Sequence, residues 1–282
     1  MKFGRSGHLA AATALAITLG ACANNDPLTD PIRPGEAVKN EPTASKTDAI
    51  VRVAAATAAR GDEPMAASLY RRAHGLDPNN FEAALGLAAT LARLGAREEA
   101  AAAYRDALAI RPDDTEALRG LGNVLILLNE PATATQHFNR ALKTRQDPRV
   151  YNGLGVAYDM LDDHPAAQAF YRSGLELAPN NAELSNNLGL SLLLAGDNAG
   201  AVKALRGAVG TKNATVRHRL NLALALVLAG ETGAAEQIAR IDLDPQSADA
   251  QIAYFETIAA LPDKRAMRKA IGAHLAGGAT GS

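Results

Sequence analysis

The stretch Thr115-Glu116-Ala117-Leu118-Arg119-Gly120-Leu121-Gly122-Asn123-Val124-Leu125-Ile126-Leu127-Leu128-Asn129-Glu130-Pro131 decides the fold of this chain. Leu118, Leu121, Leu125 and Leu128 are spaced by 3, 4 and 3 residues, which puts them on one stripe of a helix. Asn129-Glu130-Pro131 interrupts the stripe, and Ala134, Phe138 and Ala141 resume helical spacing at 4 and 3. The unit over 115–147 is therefore helix, tight turn, helix. Outward from it, Leu121 belongs to the column Val53, Leu87, Leu121, Leu154, Leu188, Leu222, with steps of 34, 34, 33, 34 and 34. Ala54, Ala88, Gly122, Gly155, Gly189 and Ala223 form a small-residue column beside it. Ala66, Ala100, Ala134, Ala167, Ala201 and Ala235 form another, and Tyr70, Tyr104, Phe138 and Tyr171 carry a ring before Leu205 replaces it. Such a period means stacked copies of one supersecondary unit, not a compact fold around one deep active site.

Residue size explains the columns. Gly122 and Ala134 fall where the paired helices cross, and a larger side chain would hold the axes apart. The ring of Phe138 fills the space towards the next copy. Gly61, Gly95, Gly196 and Gly230 occupy the turn, where a left-handed backbone costs glycine little. Asn79 with Glu82, Asp113 with Glu116, and Asn180 with Glu183 have capping-box spacing, which predicts helix starts stabilised by roughly 1 kcal/mol each. Pro78, Pro112 and Pro179 end the preceding helices just upstream.

This pattern resembles the tetratricopeptide repeat. Leu87, Ala88, Leu91, Gly95, Ala100, Tyr104, Ala107 and Pro112 match that family's signature in the second copy. Tyr151, Leu154, Gly155, Tyr158, Ala167, Tyr171 and Pro179 match it in the fourth. The first copy departs at Thr57, and the sixth at Ala239 and Asp242. No stretch reads as strand. The resemblance implies an all-α, right-handed superhelical solenoid of about six helix-turn-helix repeats over 47–249. A C-terminal capping pair of helices over 250–275 follows, with Ile252, Phe255 and Ile258 on one face, and 276–282 reads as a disordered tail.

The N-terminal 22 residues are of another kind. Lys2 and Arg5 precede an apolar run, Leu9 to Leu19, of 11 residues. A membrane span needs roughly 20, so the run reads as a secretory signal over 1–21. It ends in Leu19-Gly20-Ala21-Cys22, which resembles a bacterial lipobox and implies cleavage before Cys22 and acylation of that residue. Cys22 is the only cysteine, so no disulfide within the chain can form and packing must hold the fold. Ala23 follows where an aspartate would favour inner-membrane retention, so the resemblance implies outer-membrane sorting. Residues 22–46 hold Pro27, Pro31, Pro34 and Pro42 among polar residues and read as a disordered tether. If extended, such a tether spans on the order of 70 Å at about 3.1 Å per residue.

A net charge of −1 gives no reason to expect a nucleic-acid surface. Hydrophobic residues make up 48% of the chain but aromatics only 4%, the balance that close helix-on-helix packing by alanine and leucine requires. Gly120-Leu121-Gly122 and Gly153-Leu154-Gly155 lie inside helices with no strand before them, so they read as crossing glycines and not as a dinucleotide loop. Asp159, Asp162, Asp163 and His164 are the densest set of metal-ligand types, but they flank a turn where polar residues belong. His74, His137, His218 and His274 lack ligand spacing. No nucleophile, base and orienter can be assembled, so no catalytic residue, metal, cofactor or small-molecule substrate is expected.

In solenoids of this kind the first helix of each copy faces a concave channel. The third copy presents Arg119, Asn123, Ile126 and Leu127 there, and the fourth Arg149, Asn152, Val156, Asp159 and Met160. The fifth presents Asn186, Asn187, Leu190, Leu193 and Leu194, and the sixth Leu220, Asn221, Leu224 and Val227. Asparagine amides can both donate to and accept from a peptide backbone. Asn187 and Asn221, 34 apart, resemble two rungs of the asparagine ladder by which some tetratricopeptide proteins hold extended peptides, or else they satisfy neighbouring helix carbonyls. Gly120 and Gly153 hold that column upstream, so the ladder is short. Arg119 and Arg149 only partly substitute for the cationic pairs that clamp a terminal carboxylate in chaperone-binding relatives. Leu193, Leu194, Leu224 and Val227 either bind an apolar partner or are covered by the C-terminal helices, the second being favoured.

Lipobox, proline tether, six repeats and a closing Ile252-Ala253-Tyr254-Phe255 together resemble TadD-like lipoproteins of the Flp (tight adherence) pilus assembly machinery. The resemblance implies a non-enzymatic scaffold facing the periplasm that assists assembly or localisation of the secretin and associated pilus subunits. Two alternatives stay open: a pilotin-like or envelope-assembly lipoprotein of another machine, and a membrane-tethered accessory or regulator of an enzyme.

Overall fold

The computed structural model describes residues 43–277. The expected signal over 1–21, Cys22, the tether as far as residue 42 and the last residues of the tail lie outside the described residues. The described chain is all-α, with fourteen helices and no strand. The first four copies pair α1 (Thr43–Ala59) with α2 (Glu63–Leu76), α3 (Phe81–Arg93) with α4 (Arg97–Ile110), α5 (Thr115–Leu127) with α6 (Pro131–Thr144), and α7 (Pro148–Met160) with α8 (His164–Leu177). The next two pair α9 (Ala182–Ala195) with α10 (Asn198–Val209) and α11 (Val216–Leu228) with α12 (Thr232–Ala239). A last pair, α13 (Pro245–Ala259) and α14 (Lys264–Gly277), closes the stack. α1 thus starts ahead of the expected boundary at 47. α13 starts ahead of the one at 250, where Pro245 takes the first turn and Asp244 caps Ser247 N at 3.1 Å.

Each helix packs on the next, and the first helices also touch one another from α1 through α13. The backbones of the second helices stay farther apart, and side chains such as Arg71 of α2 and Glu99 of α4, 3.0 Å apart, bridge them. The first-helix layer is therefore the tighter, inner side of the stack. One turn position has a left-handed backbone in every copy: Gly61, Gly95, Asn129, Asp162, Gly196 and Gly230 all have φ between 61° and 87°. Where glycine is absent the position is held by Asn or Asp, the side chains that tolerate this region best.

The alanine column Ala66, Ala100, Ala134, Ala167, Ala201 and Ala235 is fully buried. In the leucine column every member is buried except Val53, which is 55% exposed on α1, the first described helix. The rings lie against glycines. A Cβ on Gly122 would sit 2.6 Å from Phe138 Cε1, and one on Gly153 would sit 2.5 Å from Phe138 Cζ. One ring thus spans the crossing in its own copy and the approach to the next. Tyr70 meets Gly86 and Tyr104 meets Gly120 in the same way. This explains why the column that holds Asn187 and Asn221 is glycine in copies two to four: a side chain there would displace the preceding ring.

The helix starts correct the expected caps by one residue. The capping side chains are Asn80, Asp114 and Asn181, which accept from Ala83 N, Ala117 N and Leu184 N at 2.9, 2.8 and 3.0 Å. Glu82 and Glu183 then stand too close to the cap to bond back to it; Glu82 reaches Arg111 at the end of its own copy and Glu183 reaches Arg217 of the next, both at 3.0 Å. A reciprocal capping box does form on α11, between Thr215 and His218.

Buried apolar side chains fall into two clusters, one from Ala54 to Leu154 and one from Ala167 to Ile271. Tyr158 packs against both. The seam between them runs through the fourth copy.

Candidate functional site: the first-helix groove

The structure joins four of the expected groove residues into one relay. Asn221 Nδ2 donates to Asn186 Oδ1 at 2.7 Å, Asn186 Nδ2 to Asn187 Oδ1 at 3.1 Å, and Asn187 Nδ2 to Asn152 Oδ1 at 2.9 Å. Three inner helices, α11, α9 and α7, are linked through side-chain amides alone. Asn186 and Asn221 are 1% and 3% exposed, so they brace the groove from within and do not line it. Asn187 and Asn152 are half-buried at the open end of the relay. Asn152 receives its last bond, and its own Nδ2 makes none to a described residue. The amides thus satisfy each other and not helix carbonyls. Buried amides left unpaired would cost about 1–3 kcal/mol each, so the relay stabilises the spacing of these helices.

The two arginines do not act alike. Arg149, although exposed, is held by Asp147, with Nη2 to Oδ2 at 2.8 Å and Nε to Oδ1 at 3.1 Å. Asp147 also caps α7 by accepting from Arg149 N at 2.8 Å, and its bonds with Arg149 hold its carboxyl below the usual value. Arg149 is therefore not a free cation. Arg119, half-buried on α5, forms no ion pair with a described residue and sits near Tyr104, whose phenol burial raises and Arg119 lowers. Asn123 is exposed and makes no hydrogen bond to a described residue.

Beside the relay lies a second polar cluster. Asp159 Oδ1 accepts from Ser191 Oγ at 2.7 Å and faces His164 Nδ1 at 2.8 Å, while its Oδ2 accepts from Tyr171 OH at 3.0 Å. His164 Nε2 is 3.1 Å from Asp162 Oδ1. Burial raises the Asp159 carboxyl, with the Ser191, His164 and Tyr171 bonds opposing it, and raises the Tyr171 phenol well above its usual value. The set contains serine, histidine and aspartate, but the carboxylate stands between the other two. The serine proton is directed at Asp159 and not at the imidazole, so this is not a nucleophile–base pair. No group of three or more His, Cys, Asp or Glu among the described residues is placed to hold a metal ion.

The groove differs along its length. In copies three and four Leu127 and Met160 are exposed and Ile126 and Val156 half-buried. In copies five and six Leu193, Leu224 and Val227 are buried, and Leu194 packs on the same cluster. α14 accounts for part of this: it packs on α13 and also on α9, with Met267 and Ile271 joining that cluster. A crevice of about 170 Å³ remains between α14 and the end of α9, lined by Leu193, Asn198, Met267 and Ile271 among others. α14 thus covers part of the leucine face at this end. The exposed aliphatic side chains of this face, Leu127 and Met160, lie in copies three and four, with Asn187 of copy five half-open beside them.

A stack of helix pairs with an inner layer of polar amides and exposed aliphatics defines a repeat scaffold. Tetratricopeptide-repeat models match residues 54–115, 91–157, 152–215 and 186–248, and the chain belongs to that family, whose fold is typically a protein-interaction scaffold. None of the curated proteins matches the chain by sequence. Among solved structures, PilF of Pseudomonas aeruginosa is similar at 19% identity and a TM-score of 0.60, over 74% of this chain and 99% of that one. PilW, described as a widely conserved type IV pilus biogenesis factor, is similar at 22% identity and a TM-score of 0.63, over 70% and 93%. MamA from Desulfovibrio magneticus RS-1 is similar at 20% identity and a TM-score of 0.56, over 60% and 96%. At these identities the likeness is one of fold.

Proposed function

We propose that the first-helix face from the third copy to the start of the fifth, from Arg119 to Asn187, holds an extended segment of another protein subunit, and that this subunit belongs to Flp (tight-adherence) pilus or secretin assembly. In this reading acyl groups on Cys22 anchor the chain in the outer membrane, and the repeats work in the periplasm at the end of the tether. The observation that carries the groove reading is the contrast along the inner layer. Asn221 and Asn186 are sealed in the relay, whereas Asn187, Asn152, Asn123 and Arg119 keep exposed or half-exposed polar groups beside Leu127 and Met160. A backbone laid there finds amide partners on three successive first helices, α5, α7 and α9, and apolar contacts between them. The pilus setting is supported by the combination of lipobox, tether and repeats, and by a fold shared with PilF and PilW.

A photo-crosslinking residue placed in cells at 123 or 152 tests it. Capture of a pilus or secretin subunit from those positions, and not from Met65, exposed on the second helix α2, is the expected result. Equal capture from position 65 would remove the groove, and capture only of proteins outside pilus assembly would remove the system.

A further inference from the structure

Four cations stand on α14 within six residues, Lys264, Arg265, Arg268 and Lys269, and the helix carries no Asp or Glu. With 3.6 residues per turn they cover an arc of about 140°. Met267, Ala270, Ile271 and His274 occupy the other side and turn towards the body. Ile271 is buried in the C-terminal cluster, and His274 stands edge-on to the Phe255 ring at 5.1 Å. All four cations are exposed, Lys264 and Arg268 also bordering the crevice against α9, and none is paired with a carboxylate of a described residue. Arginines elsewhere, such as Arg93 with Glu63, Arg140 with Asp113 and Arg217 with Glu183, are paired. Asp263, the nearest acid in sequence, caps α14 by accepting from Ala266 N at 2.7 Å.

We propose that this face of α14 docks on an anionic phospholipid surface, with its four cations against headgroup phosphates and its apolar side still on α9 and α13. The face fits a bilayer better than a folded partner. Between Lys264 and Lys269 the cationic arc carries no large apolar residue, whereas the centre of a protein interface uses aromatic and aliphatic anchors and is depleted of lysine. Adsorption to anionic lipid needs only charge, and four cations near such a surface strengthen binding on the order of a hundredfold or more. The contact is separate in kind from acylation at Cys22: it weakens with salt, and an acyl anchor does not.

The test uses the full-length chain carrying Cys22→Ala, so that no acyl chain holds it, with vesicles of phosphatidylcholine alone or with phosphatidylglycerol added. Phosphatidylglycerol should raise the bound fraction roughly tenfold or more at low ionic strength, and high salt should reverse the gain. Replacing Lys264, Arg265, Arg268 and Lys269 together by Gln should abolish the gain with the helical circular dichroism unchanged, whereas Lys203→Gln with Lys212→Gln should not. Equal binding to both vesicles, or a gain that survives the four-fold replacement, overturns the proposal. In the otherwise unaltered chain, acetylation of Lys264 and Lys269 should slow on phosphatidylglycerol vesicles relative to Lys203 and Lys212, which gives a reading even if the replaced chain fails to fold. Uniform slowing overturns the proposal, as does protection by polyglutamate without protection by vesicles, which would assign the face to an acidic protein.

Discussion

Asn187 Nδ2 donates to Asn152 Oδ1 across 2.9 Å and so ties α9 to α7 one repeat period plus one residue away. The Asn221–Asn186 bond repeats that offset of 35 one copy further on, between α11 and α9. The inner layer is thus pinned by two amide pairs, Asn221–Asn186 sealed and Asn187–Asn152 half-open.

Replacing Asn221 by Ala leaves the buried Asn186 oxygen without its donor. The expected loss is about 1–3 kcal/mol of unfolding free energy. Asn123→Ala, on the exposed face, should change stability by less than about 0.5 kcal/mol. Urea denaturation of the two variants checks this, and equal midpoints would mean that the relay braces nothing.

A methyl on Gly153 meets the Phe138 ring, which cannot retreat because Gly122 is packed on it as well. Gly153→Ala should cost about 1–3 kcal/mol through overpacking, against the gain that alanine normally gives a helix. Adding Phe138→Leu should recover part of the loss, so a double-mutant cycle should show coupling of at least about 0.5 kcal/mol. Strictly additive effects would contradict the shared ring.

Acid should weaken the fourth copy through Asp147. Its folded carboxyl lies below the ordinary 3.8 because Arg149 bonds it, so its stabilising contribution is fully present above that value and is lost as pH falls through the folded pKa. Asp159 has the opposite sign, since burial raises its carboxyl and protonation relieves that penalty as pH falls. Asp147→Asn should therefore lower the melting temperature at neutral pH and flatten its decline towards pH 3. An acid limb unchanged from the parent would exclude Asp147 as a contributor.

Cys22→Ala should release the chain from the membrane fraction in high salt, where electrostatic contacts are screened. Flotation of the variant with outer membrane under those conditions would contradict acylation as the anchor.

Much of the fold was legible because steric demand is written in residue size. The buried alanine column and the left-handed turn position both follow from which side chains fit, so Asn129 and Asp162 take the glycine conformation in the places the repeat assigns. The caps were not fixed in this way. Asn79-Asn80, Asp113-Asp114 and Asn180-Asn181 each offer two adjacent acceptors, and only backbone geometry chooses the second. In the groove, the residue types were visible but not their partners. Arg149 is engaged by Asp147 two residues before it, and Asn221 meets Asn186 and not Asn187 because helix rotation selects an offset one residue beyond the repeat period. That 35-residue spacing is the signal that would have exposed the relay.

The apolar interior of the described residues divides at the fourth copy, where Tyr158 packs on both parts and the Asp159 cluster lies between them. Stretched from its ends, such a stack is expected to yield in two stages, and amide protons on either side of Tyr158 should exchange with deuterium as separate groups.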